Sequence, residues 1–389
     1  PSLNETRWFE EDLFASVIPA LVGRQPFKTY TRQPVRDGQG DLVAEVSQVP
    51  RLLQSEMVEK AARSAQRLRV IPEEQWFGQF CQAGNRLIEG ITRDIGSGLS
   101  SLAKCLSRTS GLPEVRILHA WRSLALDLRR IRDILTAQAP GEDVSCYRTS
   151  LTSRGWMWIP AGRHVAVRIP SNFPTINITW LQAVAARRPV LLCAPKEDPF
   201  TPLLLAKLFY EMGIPDGAIS LCYGEASALW KLADQVLWPG DLPEFLNLKA
   251  SQIKGYHHGR SKAIVLEKIS APNPYGQLAQ LAVQGCGRLC TNLSTLIVEE
   301  AAETAGMELA QAIARYSILP LDHPNASVPA FVDRSIAHQI EALINAAIER
   351  GALDLTQRVT GHAPLVEQSG LLFLRPTVLL IDPNDPLFG

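Results

Sequence analysis

The chain has 389 residues, of which 46% are hydrophobic, enough for two or three compact domains with large cores. Lysine plus arginine and aspartate plus glutamate each number 39, so no net field favours nucleic acid or an anionic membrane. No apolar run is long enough to span a bilayer, and no signal peptide is recognised. The composition therefore predicts a globular protein without nucleic-acid partners or a membrane span.

The seven cysteines are scattered without the spacing of a disulfide framework. Free thiols in a reducing compartment fit this pattern, which predicts a cytoplasmic protein. Cys286 and Cys290 form a CxxxC pair, but no second Cys or His pair at zinc spacing accompanies them. The sequence therefore predicts no metal site.

The first part of the chain changes from β-rich to helical near residue 50. Turn residues at Asp37-Gly38 and Gly40 predict irregular structure with an edge hairpin in residues 1–50. Apolar residues at helical spacing predict helices from residue 50 to about residue 135, interrupted at Gly111.

Residues 146–160 alternate around a Thr-Ser-Arg-Gly turn, which predicts a β-hairpin with Trp156 and Trp158 on one face. Exposed apolar edges invite pairing with another chain, so this hairpin is expected to join subunits.

Strand and helix patterns alternate after the hairpin, which implies a parallel sheet with right-handed crossovers. The first block has predicted strands at 164–169, 189–193, 218–223 and 235–238, and predicted helices at 177–186, 201–212 and 226–233. The second has predicted strands at 263–267, 294–298, 328–332, 371–373 and 378–381, and predicted helices at 275–283, 302–316 and 336–350. The fold class is therefore α/β with two doubly wound domains, although no GxGxxG fingerprint is present.

The stretch 284–300, QGCGRLCTNLSTLIVEE, places Cys290 between a Gly-Cys-Gly turn and an apolar β-branched run. Backbone N–H groups at such a turn can lower the pKa of a thiol and hold an oxyanion. A buried structural cysteine is the alternative, because free cysteine is among the most buried residue types.

From about residue 159 onward, the sequence resembles the aldehyde dehydrogenase superfamily. Four segments carry the resemblance in the family's order: IPAGRHVAVRIPSNFPTINITWLQAVAARRPVLLCAP, GIPDGAISLCYG, GCGRLCTNLSTLIVEE and RPTVLLIDPNDPLFG. The resemblance implies Cys290 as the catalytic thiol and Asn172, in a Pro-Ser-Asn-Phe-Pro turn, as the amide that holds the oxyanion. It implies NAD or NADP as cofactor, with binding residues Pro170, Ala194, Lys196, Trp238 and Gly240. Lys196 stands two positions away from the family's ribose-binding lysine.

One departure from the family concerns the chemistry. Hydrolytic members carry a water-activating Glu where this chain reads Tyr-His-His-Gly-Arg-Ser-Lys from residue 256. A site without that Glu resembles the CoA-acylating aldehyde dehydrogenases and the long-chain acyl-CoA reductases. The implied reaction is NAD(P)H-dependent reduction of an acyl-CoA or acyl-carrier-protein thioester to an aldehyde through an acyl-cysteine. The alternatives are a hydrolytic aldehyde dehydrogenase with His257 as substitute base, and a catalytically weakened relative that binds a carrier or acts structurally.

The resemblance also implies a division of the chain into four parts. Residues 1–142 are the N-terminal helical part of the cofactor domain, 143–160 the oligomerisation hairpin, 161–262 the NAD(P)-binding domain and 263–389 the catalytic domain. The last segment stops where the family continues, so the catalytic domain is expected to be truncated. A homodimer, or a tetramer of such dimers, is the expected assembly.

Overall fold

The computed structural model describes residues 16–93, 98–139, 144, 161–243, 248–256, 259–266, 273–299 and 301–387. The predicted hairpin at 146–160 and His257 lie outside these residues. The chain divides into two compact units. The first comprises Pro1–Val35, Leu42–Cys105 and Leu118–His257, and the second Arg36–Asp41, Leu106–Ile117 and His258–Gly389. The four-part division stays a prediction.

The elements up to residue 256 include ten strands and eight α-helices among the described residues. The strands are β1 (Val17–Ile18), β2 (Ala20–Val22), β3 (Gln25–Phe27), β4 (Arg32–Arg36), β5 (Leu42–Ser47), β6 (Val165–Arg168), β7 (Val190–Ala194), β8 (Ile219–Tyr223), β9 (Gln235–Pro239) and β10 (Ile253–Tyr256). The helices are α1 (Arg51–Val70), α2 (Glu73–Arg93), α3 (Gly98–Ser110), α4 (Glu114–Arg129), α5 (Ile131–Gln138), α6 (Ile178–Ala185), α7 (Phe200–Glu211) and α8 (Ser227–Leu232).

The elements after residue 260 are shorter. The strands are β11 (Ser261–Val265), β12 (Leu293–Val298), β13 (Ala330–Phe331), β14 (Leu353–Asp354), β15 (Leu365–Gln368), β16 (Leu371–Leu374) and β17 (Leu379–Leu380). The helices are α9 (Pro274–Val283), α10 (Ala302–Ile313), α11 (Arg334–Glu349) and α12 (Leu355–Thr360). Within the described ranges, every helix is too short or too polar to cross a bilayer.

A seven-stranded sheet organises the first unit, with strand order β10-β9-β6-β7-β8-β2-β3. The five strands β6 to β10 are parallel, whereas β2 runs antiparallel to β8 and to β3. The chain winds from β6 through β7 to β8, then crosses to the other side of β6 to form β9 and β10. The predicted doubly wound sheet is therefore confirmed, and its direction of winding reverses between β6 and β9.

The central strands form because they are apolar on both faces. Every residue of β7 (VLLCA) and β8 (ISLCY) is buried, as expected for parallel strands covered by helices on both sides. Met57 and Ala61 of α1 belong to the core cluster on one face, together with Trp230 and Trp238, whose rings meet edge to face at 5.2 Å. This packing holds the carboxyl ends of β6 and β9 in place.

The edge hairpin expected in residues 1–50 is present as β2 and β3, which end the large sheet. The turn at Asp37 and Gly40 instead lies between β4 and β5, which belong to a separate three-stranded sheet with β1. The turn residues thus predicted the position of a turn. They did not predict which sheet the flanking strands join, because that depends on partners distant in sequence.

The second unit differs from the parallel sheet predicted for it. β11 and β12 do form a parallel pair, but β13, β16 and β15 make an antiparallel sheet and β14 pairs antiparallel with β17. The predicted strands 328–332 and 378–381 are therefore present in part, with the opposite direction of pairing. The reason is that short apolar runs indicate extended backbone without specifying the partner. A cavity of about 480 Å³, lined mostly by aliphatic side chains of β12 and α10, lies in this unit.

Asp198 is an ionisable group inside the first unit. Its side chain is buried, and its Oδ1 accepts a hydrogen bond of 2.9 Å from the backbone N–H of Thr201 in the first turn of α7. Burial raises the pKa of this carboxyl to about 6, although hydrogen bonds from Thr201 and Phe200 act in the opposite direction. Asp198 therefore accepts a hydrogen bond from the first turn of a buried helix, and its ionisation opposes folding.

We expect Asp198→Asn to stabilise the protein near neutral pH, because asparagine keeps the acceptor oxygen and cannot ionise. The unfolded carboxyl ionises near pH 3.8 and the folded one near pH 6. The unfavourable contribution of the charge thus develops as the pH rises between these values and is complete above them. The gain in the free energy of unfolding is about 3 kcal/mol at most.

Urea unfolding of wild type and variant at pH 4, 5, 6 and 7 measures this gain. Asp198→Ala is the control, since loss of the acceptor costs about 1 kcal/mol. A gain of equal size at pH 4 and pH 7 would contradict the assignment.

Candidate active site

The loop before Cys290 is a left-handed turn. Gly285, Cys286 and Gly287 have φ angles of 56°, 61° and 69°. Glycine accepts this region, but L-residues seldom do. A Cβ on Gly285 would also lie 2.6 Å from the Cγ of Leu289. The Gly-Cys-Gly sequence therefore allows the chain to fold back tightly between α9 and β12.

Asn292 closes the loop through its side chain. Its Oδ1 accepts from the N–H of Leu289 at 2.7 Å, and its Nδ2 donates to the carbonyls of Leu281 and Gln284 at 2.8 and 2.9 Å. The amide thus joins the end of α9 to the start of β12. Sequence reasoning missed this role, because a single asparagine after a turn carries no distinguishing signal.

Arg288 fastens the loop to the rest of the second unit. Its two terminal nitrogens donate to the carbonyls of Ser110 and Ala330, each at 2.7 Å. Gly111 lies against the same strand, since a Cβ there would come within 2.2 Å of the Ala330 carbonyl oxygen. The sequence analysis assigned no role to Arg288, and the structure shows it as an anchor.

The two cysteines of the loop have different environments. Cys290 is exposed, and its carbonyl accepts from the hydroxyl of Ser261 at 3.2 Å. Cys286 is 7% exposed, and burial raises the pKa of its thiol to about 11, although Arg288 and Arg116 lower it in part. Because the thiolate is the nucleophile, an accessible thiol suits catalysis and a buried one does not. This contrast favours Cys290 over Cys286.

The residues expected to bind the cofactor lie at one edge of the large sheet. Pro170 follows β6, Ala194 ends β7, and Trp238 and Gly240 lie at the end of β9. Since β9, β6 and β7 are parallel neighbours, their carboxyl ends lie side by side. Lys196 follows β7 by two residues, with its side chain 63% exposed and its Nζ 4.0 Å from Glu197. In open parallel sheets, ligands bind where the winding reverses, which is here between β6 and β9.

The turn after β9 is held by its own hydrogen bonds. Gly240 has a φ of 83°, and its N–H donates to the carbonyl of Tyr256 at 2.8 Å. The indole N–H of Trp238 donates to the carbonyl of Asp241 at 3.0 Å. Glycine thus permits the sharp turn at the switch point. Within the described ranges, no three His, Cys, Asp or Glu side chains cluster as metal ligands.

Asn172 lies in the turn between β6 and the 3₁₀ helix Pro174–Asn177. Its Oδ1 is buried, and no hydrogen-bond partner for it is present among the described residues. By contrast, Asn177 donates to the Pro174 carbonyl and accepts from the indole of Trp180. A buried polar atom without a partner is uncommon and is consistent with a functional role. Asn172 belongs to the first unit and Cys290 to the second, so their pairing stays a prediction.

The fold is that of a known class of enzymes. A crystal structure of an NAD-dependent aldehyde dehydrogenase from Sinorhizobium meliloti matches with a TM-score of 0.77, over 100% of this chain and 78% of that one, at 16% identity. The chain has the aldehyde dehydrogenase fold. The α/β class expected from the sequence is therefore confirmed, whereas identity at this level shows the fold alone.

Sequence matches support the aldehyde dehydrogenase superfamily as well. A putative aldehyde dehydrogenase of Staphylococcus aureus is 25% identical over 229 residues, which are 54% of this chain and 47% of that protein. The mitochondrial methylmalonate-semialdehyde/malonate-semialdehyde dehydrogenase (acylating) of Bos taurus is 24% identical over 200 residues, 47% of this chain and 36% of that protein. The chain thus spans less than half the length of either relative. No protein-family model matches it.

Within this aldehyde dehydrogenase fold, we expect iodoacetamide to alkylate Cys290 faster than Cys286, because only the former is exposed. Peptide mass spectrometry after short exposure measures both sites in one sample. Cys286→Ala should retain the fast modification, and Cys290→Ala should lose it. Faster labelling of Cys286 would show that the nucleophile is misassigned by one turn.

We also expect Arg288→Met to release the loop, because the variant removes two hydrogen bonds to carbonyl groups and leaves both acceptors unpaired. Bonds from charged donors contribute about 1.5–3 kcal/mol each. Hydrogen–deuterium exchange of peptides covering 284–292 should rise several-fold, while that of β7 and β8 stays unchanged. Unaltered exchange in the loop would remove the anchoring role from Arg288.

Proposed function

We propose that this protein is an NAD(P)-dependent oxidoreductase that reduces an acyl thioester, acyl-CoA or acyl-carrier protein, to an aldehyde. The observation that carries the proposal is the exposed Cys290 on a loop fastened by Arg288 and Asn292. The carboxyl edge of the doubly wound sheet supports a dinucleotide cofactor, because a left-handed glycine and the reversal of winding between β6 and β9 occur together there. Pro170, Ala194, Lys196, Trp238 and Gly240 are the residues proposed to hold it.

The proposed chemistry begins at Cys290. Its thiolate attacks the thioester carbonyl, and the resulting oxyanion is held by the Asn172 amide and the Cys290 backbone N–H. Collapse of the oxyanion breaks the bond to the carrier sulfur, which leaves as a thiol after taking up a proton. A bound nicotinamide cofactor supplies the hydride. Cys290 then holds a thiohemiacetal, whose collapse releases the aldehyde and restores the thiol.

The sequence around 256–262 supports thioester chemistry over hydrolysis, because it lacks a carboxylate that could deprotonate water. The bovine relative is named as an acylating dehydrogenase, which also supports this choice. A hydrolytic aldehyde dehydrogenase that uses His257 as base is the second candidate, since the other named matches are aldehyde dehydrogenases without that qualifier. A weakened relative that binds a carrier is the third.

The proposal extends to assembly and location. The family resemblance of the segment 143–160 supports a homodimer or a tetramer, and the free thiols support a cytoplasmic protein. Light scattering at micromolar concentration tests the assembly, and a strict monomer would contradict it.

We expect the protein to consume NADPH or NADH when it is given acyl-CoAs of graded chain length. One free CoA thiol should be released for each NADPH or NADH that is oxidised. Cofactor absorbance and a thiol reagent follow both quantities in one assay. Cys290→Ser should abolish release of the thiol, and Cys286→Ala should retain most of it.

The reverse assay separates the candidates. With an aldehyde and NAD(P)⁺, acid formed equally fast with and without CoA, and lost in His257→Ala, would establish the hydrolytic enzyme instead. Absence of any turnover with intact nucleotide binding would favour the carrier-binding relative.

A further inference from the structure

Ser261 links the start of β11 to the residue that carries the exposed thiol. Its hydroxyl donates to the carbonyl of Cys290 at 3.2 Å, and its own carbonyl accepts from the hydroxyl of Ser294 in β12 at 3.1 Å. All three residues belong to the second unit. A chain of two hydroxyl bonds thus runs from β12 through β11 to Cys290.

The pairing of the two strands is irregular at the same place. Ser261 pairs with Leu293. The next residue of β11 pairs with Thr295, so Ser294 is an extra residue in β12. A bulge of this kind leaves one residue unpaired, bends the strand and increases its twist, and bulges are frequent next to active sites. Here the hydroxyl of the extra residue bonds the Ser261 carbonyl, so the bulge holds the backbone of Ser261 in place.

The peptide units on both sides of Cys290 are held by hydrogen bonds. The preceding unit contains the N–H of Cys290 and the carbonyl of Leu289, which accepts from the backbone N–H of Asn292 at 3.0 Å. The following unit contains the Cys290 carbonyl, which accepts from Ser261. Because each unit is planar, the first bond sets the direction of the Cys290 N–H, and the second restricts rotation between Cα and the carbonyl carbon. Among the residues that the structure describes, no acceptor is bonded to this N–H, so it can donate to a ligand.

Thiol attack on a carbonyl carbon requires the sulfur and an oxyanion donor to be oriented together. The carbonyl oxygen becomes negative during the attack, and donors already aimed at its position stabilise the transition state. We propose that Ser261 is a positioning residue, whose bond to the Cys290 carbonyl keeps the thiol and the backbone N–H of that residue in the orientation that oxyanion stabilisation requires. The inference rests on the proposed function, which assigns the nucleophile to Cys290. Sequence reasoning gave Ser261 no role, because its partners lie in a different segment of the chain.

Two reagents distinguish this role from a general loosening of the loop. With p-nitrophenyl acetate, the Cys290 thiolate attacks the ester carbonyl and forms an oxyanion, whose collapse breaks the C–O bond and releases p-nitrophenolate. The product is the acetyl thioester of Cys290, and the thiol proton is lost to solvent. Iodoacetamide reacts at a saturated carbon, so it alkylates the same sulfur without forming an oxyanion. The ratio of the two rates therefore measures oxyanion stabilisation, without the cofactor and without the proposed substrate.

We expect Ser261→Ala to slow the burst of p-nitrophenolate about tenfold, equivalent to about 1.4 kcal/mol, because a misdirected donor stabilises the oxyanion less. Alkylation of Cys290 by iodoacetamide, followed by peptide mass spectrometry, should stay nearly unchanged. Ser261→Thr keeps the hydroxyl and should restore most of the burst. Ser294→Ala is the matched control, because it removes a hydroxyl from the same junction but leaves the bond to Cys290. It should slow the burst less than Ser261→Ala does.

Circular dichroism and thermal unfolding verify that each variant is folded. If Ser261→Ala is not, Ser261→Thr and Ser261→Val replace it, since their side chains have the same shape and only threonine carries the hydroxyl. Cys290→Ser gives the background release from other nucleophiles.

The outcomes separate the inference from the proposed function. The inference would be overturned by an unchanged burst in Ser261→Ala, by an equal fall in the burst and in alkylation, or by an equal loss in Ser294→Ala. A burst that persists in Cys290→Ser would overturn both the inference and the assignment of the nucleophile. The expected effect of Ser261→Ala, combined with no reduction of acyl-CoA by wild type, would overturn the proposed function and leave the inference standing.

Discussion

The reversal of winding at β6 is the constraint on which the candidate cofactor site depends. Right-handed crossovers place β7 on one side of β6 and β9 on the other, so the connections leave their carboxyl ends in opposite directions. In open parallel sheets, the site at which ligands bind follows from this reversal and needs no particular side chain. Pro170, Ala194 and Gly240, which are far apart in sequence, come together because each follows or ends one of these three strands. The buried, apolar β7 and the Trp230–Trp238 contact hold this edge of the sheet in place.

The loop that carries Cys290 shows how a strained backbone is maintained. A left-handed residue other than glycine, here Cys286, costs roughly 1–2 kcal/mol. Two charge-assisted hydrogen bonds donated by Arg288 offset this, together with two that the Asn292 amide donates and one that it accepts, because each contributes about 0.5–3 kcal/mol. The thiol four residues after Cys286 stays exposed as a result, while that of Cys286 is enclosed and held protonated.

Charged groups in the first unit differ in whether burial or a partner offsets their charge. Asp198 is buried where ionisation is unfavourable, and Asp234 has a lowered pKa, in which hydrogen bonds from Arg163 outweigh its partial burial. Arg168, by contrast, is kept at the surface on an aromatic ring and without a carboxylate among the described residues. The charges of Asp198 and Asp234 are thus suppressed or neutralised, whereas that of Arg168 is exposed.

The sequence by itself determined the alternating strands and helices from β6 to β9, since the strand predicted at 189–193 is Val190–Ala194 and the helix predicted at 201–212 is Phe200–Glu211. Buried parallel strands are continuous apolar runs and helices repeat every 3.6 residues, so both patterns are local. The Gly-Cys-Gly turn before Cys290 was recognisable for the same reason. Only the tertiary structure decided the antiparallel pairing of β13–β17, the anchoring by Arg288 and Asn292, and the contrast between Arg163 and Arg168. Each of these depends on which distant segment becomes a neighbour, and that follows from strand order and packing, which no local pattern contains.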